Sequence, residues 1–358
     1  MQPKFFYLII LNIFCILYLY YFINVYKIDS ISNKHESMLI NKNKNEFKDS
    51  LNFIVIGDWG GIRTKPYYSK IQLKVSKSMI DYSKKVKISF IISTGDNFYD
   101  QGLRFFMDSR ILHTFENVYL KNDEKFSNIN WYLVAGNHDH HTKDNAKYQL
   151  SSYNAYLPKQ WNFPDFLYTK KLILLNANKQ MKTFRFIFID TTIMCNLYEK
   201  KLVGNLYNSI NQTYYNLFRN QLIMSHNQNE SIILIGHHPL YSSQSSEKPL
   251  LYCFHDNFLN LFKNYPIIAY FSGHDHSLQY GIYHKVHLFT SAGGSEFYHK
   301  PKLNDSDIDK NYKSHFYYAD DGKHIYGGFL AVKLSINRLK FSFIDNNGKK
   351  LYENKFSF

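Results

Sequence analysis

Cysteine is scarce in this chain, three among 358 residues. That scarcity excludes a disulfide-lattice scaffold and an array of zinc knuckles. A chain of this length buries enough surface to hold a fold without such staples. Arginine is scarce too: only six of the 43 basic residues are Arg, against 29 Asp and Glu, for a formal net charge of +14. Nucleic-acid readers rely on the guanidinium fork to grip bases and phosphates. With no nucleic-acid module in the sequence, nucleic acid is not an expected partner. The chain is crowded instead with Asn, Ile, Tyr and Phe, a compositional bias rather than a built basic surface. Apolar residues make up 45% and aromatics 18%, which excludes general disorder. No internal repeat is visible.

One long apolar run is present. Residues 5–26 read FFYLIILNIFCILYLYYFINVY, with no charge between Lys4 and Lys27. As a helix these span roughly 33 Å, enough to cross a bilayer. The run is longer than the apolar stretch of a cleaved signal peptide, and no small-x-small cleavage pattern follows it. It is read as a signal-anchor or an unusual signal peptide over 1–27, and both send the remainder into the secretory pathway. Residues 28–50 are polar and weakly patterned, a stalk or linker.

From residue 51 apolar, β-branched runs alternate with helical stripes. The strand candidates are Phe53–Ile56, Ile88–Ile92, Trp131–Val134, Phe184–Ile189, Ile232–Ile235 and Ile267–Phe271. Ile71, Val75, Met79 and Tyr82 share a helical face. Further helices are expected over Leu103–Leu120, Gln212–His226 and Phe254–Phe262. Near the C-terminus Gly328–Leu334 and Leu339–Ile344 read as antiparallel strands, with Asn346-Asn347-Gly348 turning into a last strand at Lys350–Tyr352. The alternation predicts an α/β architecture, and the antiparallel run predicts mixed sheets.

Five of the strand candidates end in polar signatures: Gly57-Asp58-Trp59-Gly60, Gly95-Asp96-Asn97-Phe98-Tyr99, Gly136-Asn137-His138-Asp139, Gly236-His237-His238-Pro239 and Gly273-His274-Asp275-His276. Ligands of open α/β sheets gather beyond the carboxyl ends of the strands, so all five are expected on one rim of the sheet. Asp58, Asp96, Tyr99, Asn137, His237, His274 and His276 outnumber the ligands of a single four-coordinate zinc. They suit two ions, with Asp96 the natural bridge because a carboxylate can serve both. His274 and His276, two residues apart, are expected to point both rings to one side of an extended segment. A Tyr99 phenolate prefers a trivalent ion, whereas imidazole and amide oxygen suit a divalent one. The set therefore predicts an asymmetric pair, Fe(III) with Fe(II), Zn(II) or Mn(II).

The order GD, GDxxY, GNHD, GHxP, GHxH resembles the metallophosphoesterase superfamily in its purple acid phosphatase form. The Tyr of the second block separates that form from the superfamily's protein phosphatases and nucleases. GDWGG at 57–61, GDNFY at 95–99, AGNHDH at 135–140, WNFP at 161–164 and GHDHSLQY at 273–280 are similar to the small, mammalian-type tartrate-resistant members. The likeness runs from about residue 51 to 356. It implies one catalytic domain over 51–358, a four-layer α/β/β/α sandwich of two mixed β-sheets, preceded here by a single N-terminal hydrophobic helix.

The resemblance also implies roles. Asp58, Tyr99 and His276 would hold the ferric ion; Asn137, His237 and His274 the divalent one; Asp96 would bridge. His138 would steady the substrate or protonate the leaving group. Relatives carry a Glu-His pair after the GHxP block. Glu247 matches the Glu, but Lys248 stands where the His would be, so the second catalytic His is not supported. The implied disulfide is Cys195–Cys253, Cys15 lying in the apolar run. Asn196–Ser209 matches an exposed loop over the site that can be cut. Sequons at Asn211, Asn229 and Asn304 are candidate glycosylation sites in a secretory lumen.

The implied activity is an acid phosphatase that hydrolyses phosphate monoesters, small or on phosphoproteins, by attack of a metal-bound hydroxide. The body would be lumenal or extracellular, tied to the membrane through residues 5–26 or secreted. Some relatives of the fold are non-catalytic, membrane-anchored scaffolds with degraded ligands, and the complete ligand set here favours the enzyme.

Overall fold

The computed structural model describes residues 49–141, 145–195, 211–243, 258, 260–295, 297, 311–319 and 326–358. The apolar run 5–26, the loop 196–209, Glu247, Lys248, Cys253 and Asn304 lie outside the described residues. Among the described residues no helix is long and apolar enough to cross a membrane.

Alternation along single strands explains the layering. Along β1 (Ser50–Ile56), Phe53 and Val55 enter one buried cluster while Ile54 and Ile56 enter another. Along β6 (Met181–Ile189), Phe184, Phe186 and Phe188 join the first cluster, and Ile187 and Ile189 a third. A strand with two apolar faces must be covered on both. The shared cluster is therefore the space between two sheets, and the other two lie under helices on the outer faces.

The first sheet runs β14-β13-β12-β1-β2-β3-β4 and the second β11-β9-β10-β8-β7-β6-β5. In the first, β1 pairs in parallel with β2 (Phe90–Ser93), β2 with β3 (Trp131–Leu133) and β3 with β4 (Trp161–Asn162). On its other side β1 pairs antiparallel with β12 (Gly328–Ser335), which continues through β13 (Arg338–Asp345) to β14 (Lys350–Ser357). In the second, β6, β7 (Ser231–Ile235), β8 (Ile267–Ser272) and β10 (Val286–Ser291) are parallel neighbours. β5 (Leu167–Leu175), β9 (Leu278–Tyr283) and β11 (Tyr312–Tyr318) pair antiparallel. Both sheets are mixed, as expected.

The helix Lys70–Lys85 covers the outer face of the first sheet. Ser69 caps it, its Oγ accepting the Gln72 N–H at 2.9 Å and donating to the Ser295 carbonyl at 2.8 Å. Ile71, Val75 and Met79 are buried along one face. The helix Gln212–Asn227 covers the second sheet through Phe218 and Leu222, and Asn211 caps it by accepting the Tyr214 N–H at 3.1 Å. Asn229 is exposed and Asn211 half-buried.

Two expectations change and a third is met where it is described. The helix expected over Leu103–Leu120 starts at Ile111 and is wound with wide π-type turns. Asp108 claims the preceding residues: its carboxylate accepts the Arg104 and Arg110 N–H groups at 3.1 and 3.0 Å, a turn that competes with helix. Of the expected helix Phe254–Phe262, residues 258 and 260–262 are helical, within a helical stretch that runs to 264, and the rest lies outside the described residues. The last strand reaches Ser357 rather than Tyr352. Strands β4, β5, β9, β10 and β11 were not among the strand candidates.

Candidate metal centre

The five signatures do follow strands, but not of one sheet. Asp58, Asp96 and Asn137 come after β1, β2 and β3 of the first sheet, and His237 and His274 after β7 and β8 of the second. The site lies where the carboxyl ends of two sheets meet. Asp58, Asp96 and His274 have φ of +57°, +53° and +68°. Left-handed backbone at a non-glycine residue costs on the order of 1–3 kcal/mol and survives only where its surroundings hold it. Here the Asp58 N–H donates to the Gly95 carbonyl at 2.9 Å, and the His274 N–H to Asp58 Oδ2 at 2.9 Å. Gly136 is also required: a Cβ there would collide with Asp96 Oδ1.

The side chains form two adjoining groups. In one, the Tyr99 hydroxyl is 3.1 Å from Asp58 Oδ1 and 2.8 Å from His276 Nε2, and His276 Nε2 is 3.4 Å from Asp58 Oδ1. In the other, His237 Nε2 and His274 Nδ1 are each 3.0 Å from Asn137 Oδ1. Asp96 joins this second group, its Oδ1 lying 3.5 Å from His237 Nε2 and accepting the His138 N–H at 3.0 Å. His274 and His276 therefore serve different groups. The sequence reading placed both rings on one side of an extended segment. Residues 274–277 form a bend with His274 left-handed, which separates the rings.

The donor chemistry calls for cations. His237 Nδ1 lies 2.8 Å from the Thr94 carbonyl. A carbonyl only accepts, so Nδ1 carries the proton and Nε2 is the nitrogen turned to the site. Nε2 faces the Asn137 amide oxygen at 3.0 Å, and an imidazole nitrogen and an amide oxygen can share a divalent ion. Asp58 and Asp96 are buried, and among the described residues no Lys or Arg pairs with either. Buried carboxylates without a cationic partner are costly. One donor atom each from Asp58, Asp96 and His237 lie within 4.8 Å of one another. The residues present fit a pair of metal ions.

His138 stands at the edge of this cluster, half-buried, its ring 4.9 Å from that of Tyr99 and nearly perpendicular to it. Its Nδ1 donates to the Asp100 carbonyl at 2.9 Å. Desolvation lowers the imidazole pKa, but Asp96, the Asp100 carbonyl, Asp139 and Asp58 outweigh it and the net direction is upward. Asp96 is held below the usual carboxylate range: burial pushes it up, and His237, His138 and His274 more than offset that.

Two residues were not singled out from the sequence. Asp139 is fully buried and braces the loops from beneath. It accepts the N–H groups of Gly136 at 2.9 Å, Asn97 at 3.0 Å and Phe98 at 3.2 Å, and the Gln149 amide at 2.8 Å. Burial and the neighbouring Asp96 push its carboxyl up to about 6. His238 is buried beside His237. The signals for both were in the blocks themselves, as the last residue of GNHD and the doubled histidine of GHHP. Arg110 holds the loop that carries Tyr99: it donates to the Tyr99 carbonyl at 3.2 Å and to the Gly102 carbonyl, and pairs with Asp108 at 2.9 Å. Cys195 is buried.

Two mixed sheets with buried carboxylates, a phenol, an amide and imidazoles converging at their strand ends describe a metallophosphoesterase. The family model for calcineurin-like phosphoesterases matches residues 51–278, and the chain belongs to that family, in its purple acid phosphatase group. It is 30% identical over 319 residues to purple acid phosphatase 3 of Arabidopsis thaliana, covering 85% of this chain and 76% of the relative. It is 27% identical over 310 residues to tartrate-resistant acid phosphatase type 5 of Mus musculus, covering 85% and 89%. By class it is an acid phosphatase. In fold it is similar to GAP50, the anchor in the inner membrane complex of Plasmodium, with a TM-score of 0.70 at 24% identity over 87% of this chain and 90% of that one.

Proposed function

We propose that the chain hydrolyses phosphate monoesters at a dinuclear centre of Fe(III) with Fe(II), Zn(II) or Mn(II). The observation that carries the reading is the convergence of all seven donors into two adjoining groups, with Tyr99 confined to one and Asn137 to the other. Bound there, two cations supply Lewis acidity, lowering the pKa of a water and neutralising charge on the phosphoryl oxygens.

The remaining work falls to the chain. Asp58, Tyr99 and His276 would hold the ferric ion, and the phenolate suits a hard trivalent one. Asn137, His237 and His274 would hold the divalent ion, and Asp96 would bridge. His138 has committed Nδ1 to the Asp100 carbonyl, so Nε2 is the nitrogen left to meet the ester. A protonated ring there would give its proton to the leaving-group oxygen. Glu247 is proposed as a further catalytic residue, with Lys248 next to it in the sequence. The net charge of +14 draws anionic phosphoesters toward the surface.

The secretory placement belongs to the same proposal. It includes a Cys195–Cys253 disulfide, which an oxidising compartment would allow, and residues 5–26 as the membrane segment. A non-catalytic scaffold is the alternative, and the complete donor set argues against it. The test is the purified full-length protein in detergent: iron and zinc per chain, the visible spectrum, and a pH–rate profile with p-nitrophenyl phosphate. Bound metal with turnover at acid pH supports the enzyme. Absence of both returns the chain to the scaffold reading.

A further inference from the structure

The GHHP block carries one more histidine than the ligand set above employs. His238 is 1% exposed and lies in the same buried pocket as its neighbour. Its ring centroid is 4.9 Å from that of His237 and 4.6 Å from that of His274. One nitrogen from each of the three rings lies within 4.8 Å of the other two. Successive residues of an extended strand send their side chains to opposite faces. The bend that ends β7 is what lets two consecutive histidines face one cluster.

His238 is also held as His237 is held. In His237 the Thr94 carbonyl takes the Nδ1 proton at 2.8 Å and leaves Nε2 to the site. In His238 the Thr191 hydroxyl lies 2.7 Å from Nδ1 and also accepts the His238 N–H at 3.2 Å. The Tyr270 hydroxyl fixes the main chain by donating to the His238 carbonyl at 2.5 Å. An oxygen at Nδ1 is the arrangement of metal-ligating histidines, which then bind through Nε2.

We propose that His238 is an additional nitrogen donor to the divalent ion, through Nε2, and that Thr191 is the residue that positions it. The proposal rests on the dinuclear reading above. A third imidazole shifts that position toward ions that favour nitrogen, such as Zn(II), and away from Mn(II), which suits oxygen donors.

The test uses full-length protein in detergent as wild type, His238→Gln and Thr191→Val, each loaded with iron and zinc and dialysed against rising dipicolinate. Iron and zinc per chain and the visible tyrosinate band are read at each step. With Cu(II) in the divalent position, pulsed EPR counts the coupled imidazoles. We expect His238→Gln to release zinc at a chelator concentration at least about ten-fold lower, the usual scale for a lost metal-site partner. Iron and the visible band should persist, and one imidazole coupling should disappear. Thr191→Val should shift zinc release the same way by a smaller factor. Zinc retention equal to wild type, an unchanged number of couplings, or joint loss of iron and zinc in His238→Gln overturns the proposal. Wild type that binds neither metal overturns the dinuclear reading instead.

Discussion

His237 donates its Nδ1 proton to the main-chain carbonyl of Thr94 at 2.8 Å, and this bond joins the two sheets at the metal centre. Thr94 follows β2 of the first sheet and His237 follows β7 of the second. The bond fixes which nitrogen faces the site, and it ties a proposed ligand on one sheet to the backbone that presents Asp96 on the other. Mutual placement of the sheets and tautomer of the ligand are thus set together.

Asp96 and Tyr99 separate the two halves of the proposed centre. Asp96→Asn removes the anionic bridge and should lose both ions and at least about 10³-fold in kcat, in line with removal of a key electrostatic group. Tyr99→Phe removes the phenolate and should abolish the visible band while the divalent ion stays bound. Metal analysis and absorption spectra check both. Wild-type turnover in Asp96→Asn, or a persisting band in Tyr99→Phe, would refute the assignments.

Asp139 makes a prediction about stability. An Asn there puts an amide N–H₂ among groups that all donate, the N–H groups of Gly136, Asn97 and Phe98. Each buried donor left without an acceptor costs about 1–3 kcal/mol. Asp139→Asn should therefore lose about 3 kcal/mol in urea unfolding and lower kcat through displaced loops. A variant as stable as wild type would remove Asp139 from the role of brace.

Two buried pairs predict opposite pH dependence. Burial pushes the Asp108 carboxyl up, but hydrogen bonds and charge from Arg110 hold it below its ordinary 3.8. Its contribution is complete above about pH 4 and disappears as pH falls through the folded value. Asp108→Asn should cost about 3 kcal/mol, because Arg110 is left buried without its counter-charge. That gap should be the same at pH 7 and pH 5 and narrow at pH 3. His140 lies 2.6 Å from Asp190. Desolvation lowers its pKa, but the Asp190 carboxylate prevails and raises it above 6.5. Its contribution is complete below about pH 6.5 and fades as pH rises through the folded value. His140→Gln should differ most from wild type at pH 5 and least at pH 9, as thermal unfolding across pH would show.

Trp59 anchors the first signature from below. It is fully buried among Phe98, Phe115, Tyr119, Trp131 and Trp161, and its Nε1 donates to Ser93 Oγ at 2.8 Å. Trp59→Ala should cost about 3–5 kcal/mol, the range for emptying a large aromatic site. Chemical denaturation measures it, and a loss under 1 kcal/mol would mean the cavity collapses.

The strands that were legible are the ones buried on both faces. β1, β2, β6, β7 and β8 read as continuous apolar runs because sheet and helices cover them. β5 carries Lys170 and Lys171 at the edge of its sheet, β9 is interrupted by Gly281, and β11 holds no aliphatic residue. Their apolar pattern is too weak to stand out, and pairing with neighbours makes them strands. The expected helix from Leu103 failed for a local reason, since the Asp108 carboxylate organises its own turn.

The sequence by itself determined the identities of the candidate metal donors and their order along the chain, because a carboxylate, a phenol or an imidazole brings its chemistry wherever a strand ends. It also set the two-sided burial of the central strands, which is written in their composition. Tertiary structure alone decided that the five signatures come from two sheets, and that His274 and His276 part to different groups. It alone brought Asp139 and His238 into the centre. These depend on bonds such as His274 N–H to Asp58 Oδ2, spanning 216 positions of the chain. No local pattern encodes a contact that exists only once both sheets have packed.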